Sequence, residues 1–185
     1  MLVHIFLSTY TYCIFFCSPL YDYTACAFTL EKTWPPVATF ILEPLRAPFR
    51  LDFDVKANRD AMIVLAEEKT NASVFAWITM NAWERQRSAI RACFLYDLQE
   101  CVQLLGGRSE HTEVDIIVDS ESRPFWMEYK HGVVTVGKGG QEEAFLEWDA
   151  AAYHRRNIST PVYLGISAWS YGGVSIEWVF YQFCG

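Results

Sequence analysis

Between Arg123 and Gly137 apolar and polar side chains exchange places residue by residue. Phe125, Met127 and Tyr129 alternate with Trp126, Glu128 and Lys130, the chain reverses near Lys130-His131-Gly132, and a second alternating run returns through Val133 to Gly137. This pattern predicts a β-hairpin. Leu51, Phe53 and Val55 set against Asp52, Asp54 and Lys56 predict a half-buried strand, and Val114, Ile116 and Val118 around Asp115 and Asp119 predict another. Val162, Leu164, Ile166 and Ala168 share one face. Tyr171-Gly172-Gly173 then turns the chain toward Ile176, Trp178 and Phe180, so a second hairpin is expected there. Met62 to Ala66 reads as a strand buried on both faces, and the prolines at 35, 36, 44 and 48 make the preceding segment extended. Period alone predicts an amphipathic helix from Trp83 to Leu105, where Ile90, Phe94, Leu98 and Val102 recur every fourth residue.

Turn-separated alternating runs predict an all-β domain, an antiparallel sandwich of two sheets with the jelly roll as one available form, and with Phe125, Tyr129, Trp148, Leu164 and Trp178 at the heart of its core. A chain of 185 residues, 52% of them apolar and 16% aromatic, is long enough to bury such a core. The expected division is a leader over 1–27, an extended lead-in over 28–39 and the sandwich over 40–185. Neither a repeat nor a low-complexity tract interrupts it.

Met1 to Tyr21 contains no Asp, Glu, Lys or Arg, and Ala25-Cys26-Ala27 has the small-x-small form that precedes signal cleavage. A basic front end is missing, so an uncleaved membrane-associated segment stands beside a removed signal. Secretion is the expectation and a cytoplasmic chain the alternative. Two sequons, Asn71-Ala72-Ser73 and Asn157-Ile158-Ser159, suit an exported chain. Cleavage after Ala27 would leave Cys93, Cys101 and Cys184. Cys93 and Cys101 can close a short loop, or all three can stay reduced.

A net charge of −7, with no basic cluster, argues against nucleic acid as a partner. No C-x-x-C occurs and the four histidines lack partners at ligand spacing, so no metal site is expected. G-x-S-x-G and H-E-x-x-H are absent, leaving the catalytic residues unknown. Val133 to Gly140 superficially resembles a strand leading into a phosphate loop, but Glu142 and Glu143 would stand where the phosphate belongs, and a glycine-rich β-turn accounts for the same residues. No cofactor is therefore expected. Recognition remains: Trp126 shares a strand face with Glu128 and Lys130, which suits stacking on a sugar or a partner protein unless a loop covers the ring, and Trp83 and Trp169 lie beside turns as further candidates.

The ordered series Leu51-Asp52-Phe53, Phe125-Trp126, Gly132, Val136-Gly137-Lys138-Gly139, Phe145-Leu146-Glu147-Trp148, Val162 to Ser167 and Glu177 to Phe180 resembles the farnesoic acid O-methyltransferase domain family. Phe49 to Lys56, Asp60-Ala61, Trp77 to Trp83 and Ser88 to Arg91 fall in the family's order too, so the likeness spans about Phe40 to Tyr181. It implies a strand over Ser88 to Phe94 in place of the helix. The family's name implies S-adenosylmethionine-dependent methylation of the farnesoic acid carboxylate, although no glycine-rich αβ donor site is visible. A non-catalytic module that binds glycan or protein is the leading expectation and the methyltransferase its alternative. Where the family usually carries a glycine pair after its third strand, this chain has Met80-Asn81-Ala82-Trp83.

Overall fold

The computed structural model describes residues 11–14, 25–31, 37–92, 109–155, 158, 161–168 and 175–183. Their strands form two antiparallel sheets. The first contains β1 (Thr11–Ile14), β2 (Ala25–Leu30), β4 (Phe49–Lys56), β9 (Arg123–Lys130), β10 (Val133–Lys138), β11 (Ala144–Asp149) and β13 (Ile176–Phe180), ordered β1-β2-β13-β4-β9-β10-β11. The second contains β3 (Thr39–Phe40), β5 (Ala61–Ala66), β6 (Val74–Asn81), β7 (Arg87–Ala92), β8 (Ser109–Thr112) and β12 (Tyr163–Ala168), ordered β3-β12-β5-β6-β7-β8. The all-β sandwich follows from the alternation. Along β4, Phe49, Leu51, Phe53 and Val55 face the core while Arg50, Asp52, Asp54 and Lys56 face outward.

The β9–β10 hairpin forms as its pattern predicts. His131 at φ 52° and Gly132 at φ 83° make a two-residue turn with both φ positive, whose twist matches that of the flanking strands. Packing also requires glycine at 132: a Cβ there would lie 2.3 Å from that of Ala151, in the short helix α1 (Ala150–His154). Asp149 caps α1, its Oδ1 accepting from Ala152 N at 2.8 Å.

Between the sheets, Phe53 lies 5.9 Å from Phe125, 5.8 Å from Trp178 and 5.7 Å from Phe180, ring centre to ring centre. Phe125, Tyr129, Trp148, Leu164 and Trp178 are all buried there. β5 is buried on both faces: Ala61, Ile63 and Leu65 join this core, while Met62, Val64 and Ala66 join Val74, Trp77 and Ala38 on the outer face of the second sheet. β7 is a strand, as the family resemblance implied over Ser88 to Phe94. The helical period beyond it runs into 93–108, outside the described residues.

Three expectations need correction. β12 and β13 are not a hairpin, because β12 lies between β3 and β5 in one sheet and β13 between β2 and β4 in the other. Alternation followed by glycines marks a reversal but not whether the chain returns within its sheet or crosses to the facing one. Val114 to Val118 is a turn, not a strand: Asp115 is left-handed at φ 56°, Val114 is exposed, and Ile116 and Ile117 both enter the core. The lead-in assigned to 28–39 contains paired strand at both ends, in β2 and β3. Ala25-Cys26-Ala27 likewise lies in β2, where Cys26 is buried, disulfide-bonded and opposite Phe180, so a break after Ala27 would cut a paired strand.

Candidate functional site

Two tryptophan–arginine pairs stand on the outer faces of the two sheets. On the first sheet, Trp126 is opposite Gly137 in β10, and a Cβ on that glycine would fall 2.1 Å from the indole Cε2. The ring thus occupies the space that glycine leaves. Arg50 caps it with its guanidinium 4.3 Å from the ring centre, and Nε1 donates to Gln141 O at 2.8 Å. Trp126 retains only 4% of its exposure. Glu128 is opposite both Arg50 and Thr135, and Lys130 is exposed near the hairpin turn. The indole, a stacking candidate unless a loop covered its ring, is covered by its own hairpin, the Gln141 turn and Arg50, while Glu128 and Lys130 remain at the surface beside it. Nearby, Tyr181 donates to Asp54 Oδ2 at 2.8 Å, and its hydroxyl pKa is pushed up to about 12 by burial and then by that hydrogen bond and charge.

On the second sheet, β6 runs into a turn built from left-handed residues: Asn81 (φ 56°), Trp83 (φ 48°), Glu84 (φ 60°) and Arg85 (φ 69°). Each non-glycine residue held there costs roughly 1–2 kcal/mol, with asparagine the most tolerant. The turn persists because it is braced on several sides. Asn81 Nδ2 donates to Asn58 O at 2.8 Å and to Ile117 O at 3.0 Å, and Ser88 Oγ accepts from Asn81 N at 3.2 Å. Backbone bonds from Asp115 N to Arg85 O and from Glu113 N to Gln86 O, together with an Arg85–Asp115 ion pair, tie it to the segment after β8. This position is the departure from the family pattern, and the left-handed backbone is one that glycines would adopt without strain.

The turn presents Trp83 at 39% exposure, one of four large apolar side chains exposed among the described residues. Beneath it, the Arg91 guanidinium lies 4.5 Å from the ring centre, within cation–π range. Arg91 is opposite the buried Trp77 in register. Burial lowers the Arg91 pKa and the charge of Glu110 opposes that shift, so Arg91 is a partly desolvated cation under an open indole. Arg87 on β7 pairs loosely with Glu110 on the neighbouring β8 at 4.0 Å, both exposed. The outer face of the second sheet also buries Trp77 Nε1 and Ser167 Oγ without hydrogen-bond partners among the described residues.

At the closing edge of the sandwich, Glu113 accepts from Lys138 Nζ at 2.7 Å and contacts His111 Nε2 at 3.0 Å. Burial would raise the Glu113 pKa, but the hydrogen bonds and charges of Lys138 and His111 outweigh it and hold the carboxyl below its usual value. Among the described residues no group of three or more His, Cys, Asp or Glu side chains is arranged to hold a metal, and no helix is long and apolar enough to cross a membrane. Gly137 makes room for Trp126, a Cβ on Gly139 would lie 2.4 Å from that of Pro124, and the following residues form β11 where a phosphate loop would continue into a helix.

Of the residues singled out from sequence, Trp126, Glu128 and Lys130 lie together on the first sheet and Trp83 belongs to the second; Trp169, Cys93, Cys101, Cys184 and Asn157 lie outside the described residues. Arg91 and Asn81 were missed. Asn81 had a legible signal, since it lies in the Met80 to Trp83 stretch that stands where the family usually carries a glycine pair. Arg91 had none, since its partner comes from a turn that the chain had to form first.

Residues 29–182 match the family described as farnesoic acid O-methyl transferase. No curated protein matches the chain. Among solved structures, it is similar to the Caenorhabditis elegans galectin LEC-6 at 10% identity and TM-score 0.45, covering 83% of this chain and 94% of that one. The exoplasmic/lumenal domain of VIP36, in its Ca2+/Man3GlcNAc-bound form, is similar at 11% identity and TM-score 0.47, covering 88% and 76%. Alginate lyase A1-II' is similar at 10% identity and TM-score 0.45, covering 86% and 78%.

Proposed function

The chain belongs to the farnesoic acid O-methyltransferase domain family, and on that premise and the geometry of its surface we propose that it is a non-catalytic recognition module that binds a glycan through Trp83. The observation that carries this is the cost at which Trp83 is held. Consecutive left-handed residues, braced from Asn58, Ile117 and Asp115, fix an indole at the surface over a desolvated arginine. Strain of this kind is kept where a geometry is used. An indole presents a flat apolar face to the C–H side of a sugar ring, and the neighbouring Glu84, Arg87 and Glu110 offer acceptors and donors to its hydroxyls.

A glycan suits this surface better than a protein partner. A standard protein interface buries roughly 800 Å² per side around an apolar centre, whereas the exposed large apolar side chains among the described residues are Val37, Trp83, Val114 and Phe183. Trp83 stands among charged neighbours.

The test is a glycan array and titration calorimetry with wild type, Trp83→Ala and Trp126→Ala, each checked for folding by thermal melting, with S-adenosylmethionine and farnesoic acid in parallel. Array binding lost in folded Trp83→Ala supports the proposal. Binding that survives Trp83→Ala, an array without hits beside a captured protein partner, or saturable donor binding with turnover of the acid refutes it.

A further inference from the structure

We propose that Asn71 is a site of N-linked glycosylation, an inference independent of what Trp83 binds. Asn71 opens the short 3-10 turn Asn71–Ser73 in the loop joining β5 to β6, where Glu68, Lys69, Thr70 and Ala72 are exposed. The two ends of its amide are used differently. Oδ1 accepts from the backbone N–H of Ala38 at 3.3 Å, which turns that oxygen toward the protein and fixes which end of the amide is which. Among the described residues Nδ2 makes no hydrogen bond, and it is not sealed from solvent. A sugar on Nδ2 therefore leaves the Ala38 contact intact and projects outward.

The sequon is completed by Ser73, whose hydroxyl accepts from Glu68 N at 3.0 Å and lies 2.7 Å from Glu68 O in the folded loop. That role begins only on folding, so the hydroxyl is available to a transferase acting on the extended chain. The co-substrate is an oligosaccharide carried on a polyprenyl pyrophosphate. The C1–O bond to pyrophosphate breaks as a C1–Nδ2 bond forms, one Nδ2 proton passes to a base of the transferase, and the lipid pyrophosphate departs.

A second observation points to the same compartment. Cys26 is disulfide-bonded, and such bonds persist in the oxidising spaces where this transfer takes place. The glycan would also leave the Trp83 turn clear. β6 begins beside Asn71 and ends at Asn81, and eight residues at about 3.4 Å each put the two loops roughly 25 Å apart.

The full chain with its own N-terminus is expressed in cultured eukaryotic cells beside Asn71→Asp, Ser73→Thr and Asn157→Gln. Asn71→Asp keeps an oxygen for Ala38 and cannot carry the sugar, whereas Ser73→Thr keeps the sequon. Release by peptide N-glycosidase in heavy-oxygen water converts each used asparagine to labelled aspartate. The expected result is label at residue 71 in wild type, Ser73→Thr and Asn157→Gln, with Asn71→Asp one glycan lighter at an unchanged melting temperature. An unlabelled Asn71 peptide, label at Asn157 alone, or a chain left unglycosylated in the cytosol overturns the proposal.

Discussion

Replacing Glu84 by glycine should stabilise the domain, although it inserts the most flexible residue into a loop. Glu84 is exposed, sits at φ 60°, and lies in the middle of the braced turn. A left-handed non-glycine residue costs roughly 1–2 kcal/mol, and the added freedom of glycine in the unfolded chain takes back about 0.5–1 kcal/mol. The net gain is about 0.5–1 kcal/mol, and at about 2–4 °C per kcal/mol for a domain of this size the melting temperature should rise by a few degrees. Asn81→Gly is the control, since it grants the same freedom at φ 56° but removes the Nδ2 that serves Asn58 O and Ile117 O. Each orphaned carbonyl costs about 1–3 kcal/mol, so this variant should lose about 2 kcal/mol or more. Urea unfolding with a fitted slope, alongside calorimetric melting, measures both. A fall in the Glu84→Gly midpoint, or a rise for Asn81→Gly, would show that the turn is not strained as argued.

Trp178→Ala, at 0% exposure within the Phe53 aromatic cluster, should cost about 3–5 kcal/mol by denaturant titration, and a midpoint left in place would contradict the packing. Gly137→Ala should destabilise through collision with Trp126 and should quench or shift indole fluorescence, and Trp126→Leu in the same chain should recover part of the loss. Because the Glu113 pKa is depressed in the fold, its contribution is present above the ordinary carboxyl value of 4.5 and disappears as pH falls through the lower folded value. Lys138→Met should therefore be less stable than wild type near neutral pH, by under about 1 kcal/mol for so exposed a pair, and the difference should fade as pH falls below 4.5 and through the lower folded value. A gap independent of pH would assign the effect to packing.

The sheets were legible wherever one face meets water, because alternation then writes the strand into the sequence; β4, β9 and β10 are of this kind. Strands buried on both faces lose that signature. β12 looks like the first arm of a hairpin until its partners, β3 and β5, show it in the other sheet. Ile116 and Ile117 mimic a strand from within a turn because the core accepts apolar side chains from loops as well. Trp126 was placed on the correct face, but its cover came from Gln141 and Arg50, which only the hairpin and its neighbouring strand bring there. Trp83 was marked by its place beside a turn; the arginine under it was beyond reach of any local pattern.

The place of β13 governs when this protein can become itself during synthesis. It fills the gap between β2 and β4, with Glu177 and Lys56 joined across 121 positions of sequence. Until that late segment leaves the ribosome, the inner edges of β2 and β4 have no strand to pair with, and each is an invitation to another chain. Pairings so distant in sequence form slowly, since loop closure is paid before contact rewards it. The nascent domain should therefore be held by chaperones to its last strand, and an early stop before Ile176 should yield aggregate, not a smaller sandwich.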